Sequence, residues 1–170
     1  MIKNRDSLKA KVANLASKTK IPNKYLIQNY MFEALIKRIS LSEYKNNFII
    51  KGGFLLASIF GVNLRSTMDL DTTIKGFSLD KDTIKVVIQK IIDIDVNDNI
   101  KFEIENIKPI REESFYSGFN VNLKAEFDGL RTNLMIDITT GDIITYKEIE
   151  FTYKTIFDKE IINIMTYNYE

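Results

Sequence analysis

Two aspartates separated by a single leucine are the part of this sequence best suited to chemistry. Asp69 and Asp71 lie in a segment, 68–72, whose pattern predicts a strand. On a strand, residues i and i+2 point to the same face and lie roughly 6.5 Å apart along the chain. Carboxylates held so close repel each other and resist ionising together unless a cation lies between them. A divalent metal such as Mg²⁺ removes this repulsion, and in two-metal sites it holds the attacking and leaving oxygens of phosphoryl chemistry.

The composition directs attention to the same acids. The 170 residues include no histidine and no cysteine. Without histidine, the Ser-His-Asp and Cys-His triads are excluded. Without either residue, the usual zinc sites, disulfides and iron–sulfur clusters cannot be built. Any chemistry must use carboxylates, lysine, arginine, tyrosine, hydroxyls and backbone groups, and carboxylates without soft ligands favour hard cations such as Mg²⁺.

A third acid lies on a later predicted strand, residues 131–139. There Asp137 lies on the face opposite to the apolar residues at 134, 136 and 138. If this strand neighbours the one that carries Asp69 and Asp71, three carboxylates converge on one side of the sheet. Alternatively, Asp137 belongs to a merely solvated face, just as an isolated Asp-x-Asp pair most often does. Two other acids are alternatives for the third position: Glu126 and Asp142.

A glycine pair precedes these acids. Gly52 and Gly53 follow a short apolar strand, 48–50, and open a predicted helix over 54–60. In such a turn, backbone N–H groups can approach a phosphate, and the helix N-terminus favours negative charge. The alternative is that the two glycines serve only a tight strand-to-helix turn.

Three polar residues stand directly before the acid pair: Arg65, Ser66 and Thr67. The two hydroxyls could donate hydrogen bonds to a phosphate, and the guanidinium could stabilise its charge. An exposed surface arginine is the common alternative for Arg65.

The elements that must position these residues are helical first and β-rich later. Helical spacing predicts helices over 6–18, from Asn23 onward, in a short segment opened by Ser40 or Ser42, and over 80–92. Alternation predicts strands over 101–107 and 120–127, and Asp128-Gly129 predicts a hairpin into 131–139. The chain is therefore expected to be an α+β domain with one mixed or antiparallel sheet. The apolar stretch 161–165 either pairs into that sheet or belongs to a longer protein, and we favour the second.

Charge and hydropathy give weaker indications. The net charge is +1, but the first 24 residues hold seven cations against Asp6 alone. Such a cluster of cations is more often a solvated helix face than an RNA-binding surface. No apolar run is long enough for a transmembrane helix, and the N-terminus lacks the apolar core of a secretory signal. A cytoplasmic protein is expected.

Two motifs together resemble a known family. Lys51-Gly52-Gly53-Phe54-Leu55-Leu56, followed by Arg65-Ser66-Thr67-Met68-Asp69-Leu70-Asp71, is similar to the signature of the AbiEii/AbiGii-type nucleotidyltransferase toxins. These belong to the DNA polymerase β-like nucleotidyltransferase superfamily. The segment 25–30 resembles the family's N-terminal helices, and 135–139 resembles the strand that carries its third acid.

The resemblance implies an abortive-infection or toxin–antitoxin enzyme that transfers a nucleoside monophosphate from an NTP to an RNA hydroxyl, notably of tRNA. It implies that Gly52 and Gly53 bind the triphosphate with help from Arg65, Ser66 and Thr67. Asp69 and Asp71 would hold Mg²⁺, and Asp137 would complete the metal site or help to activate the acceptor hydroxyl. It also implies a cognate antitoxin as a protein partner.

The resemblance further implies a single nucleotidyltransferase-like domain over 1–170, with a helical segment, 1–46, and an α/β catalytic core, 47–170. The N-terminal helices are expected to pack on the sheet. The family pattern continues into a lysine-bearing motif and a helical region beyond residue 170, so the chain is expected to be its N-terminal catalytic part. Two alternatives remain: a non-catalytic nucleotidyltransferase-like scaffold that binds an antitoxin or RNA, and a structural domain in which the aspartate pair is incidental.

Overall fold

The computed structural model describes residues 1–51, 69–76, 78, 80–110, 118–139 and 147–167. Over these residues its helices are α1 (Arg5–Thr19), α2 (Asn23–Leu41) and α3 (Lys81–Ile92). Its strands are β1 (Phe48–Lys51), β2 (Asp69–Ile74), β3 (Ile100–Ile110), β4 (Gly118–Phe127), β5 (Leu130–Thr139), β6 (Glu148–Lys154) and β7 (Ile161–Tyr167). None of the described helices is long and apolar enough to cross a membrane.

Polar caps define the ends of the helices that the apolar spacing predicts. The side chain of Asn4 accepts the Ser7 N–H at 2.8 Å at the start of α1, and that of Asp80 accepts the Thr83 N–H at 2.8 Å at the start of α3. Each cap satisfies one backbone donor that has no partner within the helix. The apolar residues of α3 share one buried face: Ile84, Val87, Ile88, Ile91 and Ile92.

The short third helix predicted near Ser40 and Ser42 is wrong. Ser42 instead ends α2, because its hydroxyl donates to the Ile39 carbonyl at 2.8 Å and accepts the Tyr44 N–H at 3.1 Å. Residues 43–47 form turns that lead directly into β1. A serine hydroxyl can serve either end of a helix, and here too few residues separate it from the strand for a further helix to form.

The strands form one mixed sheet in the order β3-β4-β5-β2-β1-β7-β6. The pairs β2–β5 and β1–β7 are parallel, and the other neighbours are antiparallel. Helices α1 and α2 contact each other, α2 packs on β5 and β7, and α3 packs on β3. The predicted α+β class, with a mixed sheet and N-terminal helices packed on it, is therefore confirmed.

The hairpin between β4 and β5 forms as predicted. Asp128 and Gly129 have φ values of 48° and 79°, so both central residues of the turn adopt the left-handed conformation. Asp-Gly suits this turn, whose twist matches that of the two flanking strands. The Asp128 carboxylate also accepts the Arg5 N–H at 2.8 Å, which ties the turn to the start of α1.

The apolar stretch 161–165 pairs into the sheet, which is the first of the two alternatives given for it; the other alternative, that the chain belongs to a longer protein, stays a prediction. It lies in β7, between β1 and β6, where Ile162 and Ile164 are buried. The Thr166 hydroxyl also donates to the Ile50 carbonyl of β1 at 2.8 Å. The strand satisfies its backbone by joining β1 in parallel, a pairing between segments more than a hundred residues apart in sequence.

Candidate active site

The two strands that carry the three aspartates are neighbours in the sheet. Strand β2 pairs with β5 in parallel, in a register that places Asp71 opposite Asp137 and Asp69 opposite Met135. Adjacent strands lie about 4.8 Å apart, and residues in register share a face. The fold thus brings Asp137 to the same face as Asp69 and Asp71, which precede it by more than sixty residues in sequence.

Burial alternates along both strands and determines which face the acids occupy. Leu70 and Ile136, which lie beside the acids in sequence, are almost fully buried, at 0% and 1% exposure, and belong to the core cluster that includes the helices. Asp69, Asp71 and Asp137 are only half-buried. The apolar residues hold the strands against the helical layer, so the carboxylates lie on the face away from it.

Burial and the charge of Asp137 disfavour ionisation of Asp69 and Asp71. Partial burial raises the pKa of Asp69, and the charge of Asp137 raises it further. Burial and Asp137 also raise the pKa of Asp71; Lys51 opposes this rise, and Asp69 adds to it. Each shift reflects a carboxylate that lacks sufficient compensating charge. Bringing a cation to this face would reverse that imbalance.

The chemistry of the donors fits a hard divalent cation. Carboxylate oxygens are the ligands that Mg²⁺ prefers, and the three acids supply them from adjacent strands. Within the described ranges, no group of three acidic side chains is already arranged around a common point suited to a metal ion. Binding an ion at Asp69, Asp71 and Asp137 therefore requires their side chains to turn towards one another.

Two residues that the sequence patterns did not single out for the site lie beside the acids. Lys51, at the end of β1, is opposite Asp71, and its Nζ lies 3.5 Å from the Thr139 hydroxyl. Asn120, on β4, is opposite Asp137 and donates to its Oδ1 at 2.5 Å. One row of paired residues thus crosses four strands, β1, β2, β5 and β4. We call it the acid row, and its members are Lys51, Asp71, Asp137 and Asn120.

The strand that carries Asp137 is held to β2 by side chains as well as by backbone pairing. The Thr72 hydroxyl donates to the Asp137 carbonyl at 3.2 Å, and the Thr139 hydroxyl donates to the Thr72 carbonyl at 3.5 Å. Thr72 is fully buried. These contacts stabilise the parallel register that sets the spacing of the acids.

The alternatives for the third acid differ in position. Glu126 lies near the hairpin turn at the other end of β4, where its carboxylate is 3.3 Å from the Arg131 guanidinium. It is six residues from Asn120, or about 20 Å along an extended strand, so it does not join the acid row. Asp142 lies outside the described residues, as do the predicted nucleotide-binding residues: Gly52, Gly53, Arg65, Ser66 and Thr67. The helix predicted over 54–60 also lies outside them.

Comparison with known proteins gives a family match. A family model described as nucleotidyl transferase AbiEii toxin, type IV TA system, matches residues 34–170. The match includes every strand of the sheet and the acid row. No curated protein matches the chain significantly.

Two solved structures from Helicobacter pylori are similar to the chain. The first, a candidate nucleotidyltransferase, is 13% identical, with a TM-score of 0.45, over 84% of this chain and 55% of that one. The second, JHP933, is 13% identical, with a TM-score of 0.43, over 84% of this chain and 53% of that one. The chain therefore spans about half the length of these matched structures.

Proposed function

The chain belongs to the AbiEii nucleotidyl transferase toxin family, and from this premise we propose that it transfers a nucleoside monophosphate from an NTP to an RNA hydroxyl. The acceptor oxygen forms a bond to the α-phosphorus, the bond from that phosphorus to the pyrophosphate oxygen breaks, and pyrophosphate leaves. The observation that carries this proposal is the register of Asp71 against Asp137, with Asp69 on the same face.

The acids have distinct roles in this reaction. Asp69 and Asp71 bind Mg²⁺, which, when bound, neutralises developing charge on the phosphate oxygens. Asp137 completes the ligand set or accepts the proton of the attacking hydroxyl, because it lies directly beside Asp71. Lys51 balances the negative charge of this row at its β1 end.

The nucleotide is held by residues on either side of β2 in sequence. Gly52 and Gly53 approach the triphosphate through their backbone N–H groups, and Arg65, Ser66 and Thr67 contact its oxygens. These roles rest on the motif resemblance. Their support in the described residues is that β1 leads into the glycine pair at the strand end nearest Asp71.

The wider context of the proposal follows the family. The RNA acceptor is expected to be tRNA, a cognate antitoxin protein is the expected partner, and the cytoplasm, where NTPs and tRNA occur, is the expected location. Residues 1–170 act as one nucleotidyltransferase-like unit, in which the helical segment 1–46 supports the core 47–170.

Incorporation of labelled nucleotide into RNA tests the proposal. The purified chain is incubated with Mg²⁺, total RNA and each α-labelled NTP in turn, beside Asp71→Asn and the control Glu103→Gln. Glu103 is an exposed strand acid away from the row, so its neutralisation removes the same charge without touching the site. We expect labelled RNA with the parent and the control, and a loss of about 1000-fold, or about 4 kcal/mol of transition-state stabilisation, with Asp71→Asn.

Two results would contradict the proposed nucleotidyl transfer. Equal labelling by the parent and Asp71→Asn would remove the acid row from the reaction. No labelling by the parent, together with no calorimetric binding of a non-hydrolysable NTP and Mg²⁺, would favour a scaffold that binds an antitoxin or RNA.

A further inference from the structure

Three asparagines form a hydrogen-bonded chain that ends on Asp137. Asn120 donates through Nδ2 to Asp137 Oδ1 at 2.5 Å. Asn122 donates through Nδ2 to Asn120 Oδ1 at 3.0 Å and to Asn106 Oδ1 at 2.7 Å. We call Asn106, Asn122 and Asn120 the amide row. It lies on the same face of the sheet as the three acids and extends away from them across β4 to β3.

The direction of these hydrogen bonds is set by the acid. An ionised carboxylate can only accept hydrogen bonds, so Asn120 must present its NH₂ group to Asp137 and its oxygen to the other side. That oxygen in turn requires the NH₂ group of Asn122. Each amide therefore has one favoured orientation, and such chains of hydrogen bonds polarise one another.

The two sides of Asp137 are occupied by residues of different character. Asn120 lies opposite it on β4, and Asp71 lies opposite it on β2. The amide engages Oδ1, which leaves Oδ2 as the oxygen for a ligand shared with Asp71. A carboxylate held at one oxygen has fewer rotamers to lose when the other oxygen binds an ion.

The surroundings favour a role in positioning over a role in stability. Asn120 and Asn122 are only half-buried, and Asn106 is exposed, so water could satisfy these amides without the row. The packing of this part of the sheet comes from alternate residues on the helix-covered face, among them Val121 and Leu123, which are fully buried. Removal of one amide therefore leaves the core of β4 intact.

We propose that Asn120 is a positioning residue that holds the Asp137 carboxylate as a ligand for the divalent cation, with Asn122 fixing the orientation of the Asn120 amide. This inference rests on the proposed function, since that function requires the cation. Hydrogen-bonding partners of metal ligands orient those ligands, and their loss typically lowers metal affinity about 10- to 100-fold.

Calorimetric titration of the metal alone tests this role without any need for turnover. Mn²⁺, which takes the same oxygen ligands as Mg²⁺, is titrated into the parent chain, Asn120→Ala, Asn120→Gln and Asp137→Ala. Asn133→Ala is the matched control, because Asn133 is an exposed asparagine on the neighbouring strand β5 and lies outside the amide row. Thermal melting of each metal-free variant checks that it is folded.

We expect Asp137→Ala to lose Mn²⁺ binding and Asn120→Ala to weaken it by about 10-fold or more. Asn120→Gln keeps an amide donor and should recover part of the affinity, whereas Asn133→Ala should match the parent. Asn122→Ala leaves Asn120 in place and should give a smaller loss, which also tests the row if Asn120→Ala does not fold.

Two different failures can be told apart. If Asn120→Ala and Asn122→Ala bind Mn²⁺ as the parent does, while Asp137→Ala does not, the positioning role is overturned and the metal site remains. If the parent chain itself binds no Mn²⁺, the proposed metal-dependent function is overturned and this inference falls with it.

Discussion

A charged residue beneath the helices and a charged residue in the acid row have different neighbours. On the helix-covered face, Arg38 makes a two-pronged ion pair with Asp98, with both N···O distances at 2.8 Å, and donates to the carbonyls of Ala34 and Ile100. Its side chain is 2% exposed. On the other face, Asp71 lies opposite Asp137, a residue of the same charge. Arg38 thus meets an opposite charge, whereas Asp71 meets a like charge on β5, with Lys51 opposing it from β1.

Glu33, also buried beneath the helices, is held by neutral hydrogen-bond donors. Its carboxylate accepts the Tyr153 hydroxyl at 2.7 Å and the Ile156 N–H at 2.9 Å. Burial raises the pKa of Glu33 to about 7, although both hydrogen bonds lower it. The hydrogen bonds thus hold a carboxyl group that the interior would prefer neutral.

This difference separates residues that stabilise the fold from the acids that we propose as ligands of a cation. Buried charges that are held by protein groups contribute to a defined packing arrangement. Partly exposed acids whose pKa values are raised by burial and by a neighbouring acid, as those of Asp69 and Asp71 are, are typical of functional sites. The comparison therefore predicts opposite effects on stability when the charge of Arg38 and the charge of Asp71 are removed.

Removal of the buried guanidinium should have the largest effect on stability. Arg38→Ala leaves the Asp98 carboxylate without its ion-pair partner and removes one donor from each of two backbone carbonyls, so we expect a loss of about 3–5 kcal/mol in the free energy of unfolding. Urea denaturation at pH 7 measures this loss. Lys85→Ala, at an exposed position in α3, is the control and should change stability by less than about 0.5 kcal/mol. A loss below about 1 kcal/mol for Arg38→Ala would contradict the comparison.

The second-largest effect on stability is expected for Glu33→Gln, and it depends on pH. Because the pKa of Glu33 is raised in the folded chain, from 4.5 to about 7, the folded state holds its proton between these values while the unfolded state releases it. Stability contributed by the protonated group is thus fully present below pH 4.5 and lost as the pH rises through 7. Glu33→Gln cannot titrate, so its stability relative to the parent should rise over this interval by up to about 3 kcal/mol.

Urea denaturation of the parent and Glu33→Gln at pH 5 and pH 8 measures this difference. Glu103→Gln, at an exposed position on β3, is the control and should show no comparable change. A stability difference between Glu33→Gln and the parent that stays constant over the interval would show that the Glu33 proton is not retained on folding.

The smallest change in stability is expected for Asp71→Asn, and its sign should be opposite to that of Arg38→Ala. Asp71→Asn removes a like-charge pair across two strands, so the metal-free chain should become more stable, by at most about 1 kcal/mol. Added Mn²⁺ should stabilise the parent and not Asp71→Asn, since only the parent keeps the full ligand set. Thermal melting with and without the metal measures both effects, and destabilisation of the metal-free variant would assign Asp71 to the fold instead.

Local patterns were sufficient for many elements. Helix caps at Asn4 and Asp80, the turn at Asp128-Gly129 and the alternation along β4 and β5 depend on residues a few positions apart. The contact between Asn120 and Asp137 also follows from the hairpin. Phe127 pairs with Leu130 across the turn, so residues seven positions further out on each strand must face each other. This contact is therefore specified by the turn and the register of a single hairpin.

The position of the acids has two causes, one local and one tertiary. That Asp69 and Asp71 share a face follows from the two-residue period of a strand, which is a local property. That they meet Asp137 depends on the parallel pairing of β2 with β5, and the insertion of β7 beside β1 is of the same kind. No local pattern specifies a parallel partner, because the choice is made by the combined burial of distant apolar residues under the helices. The residue types alone therefore predicted a chemistry based on carboxylates. That Asp137 lies beside Asp71 was decided by the pairing of distant strands in the folded sheet.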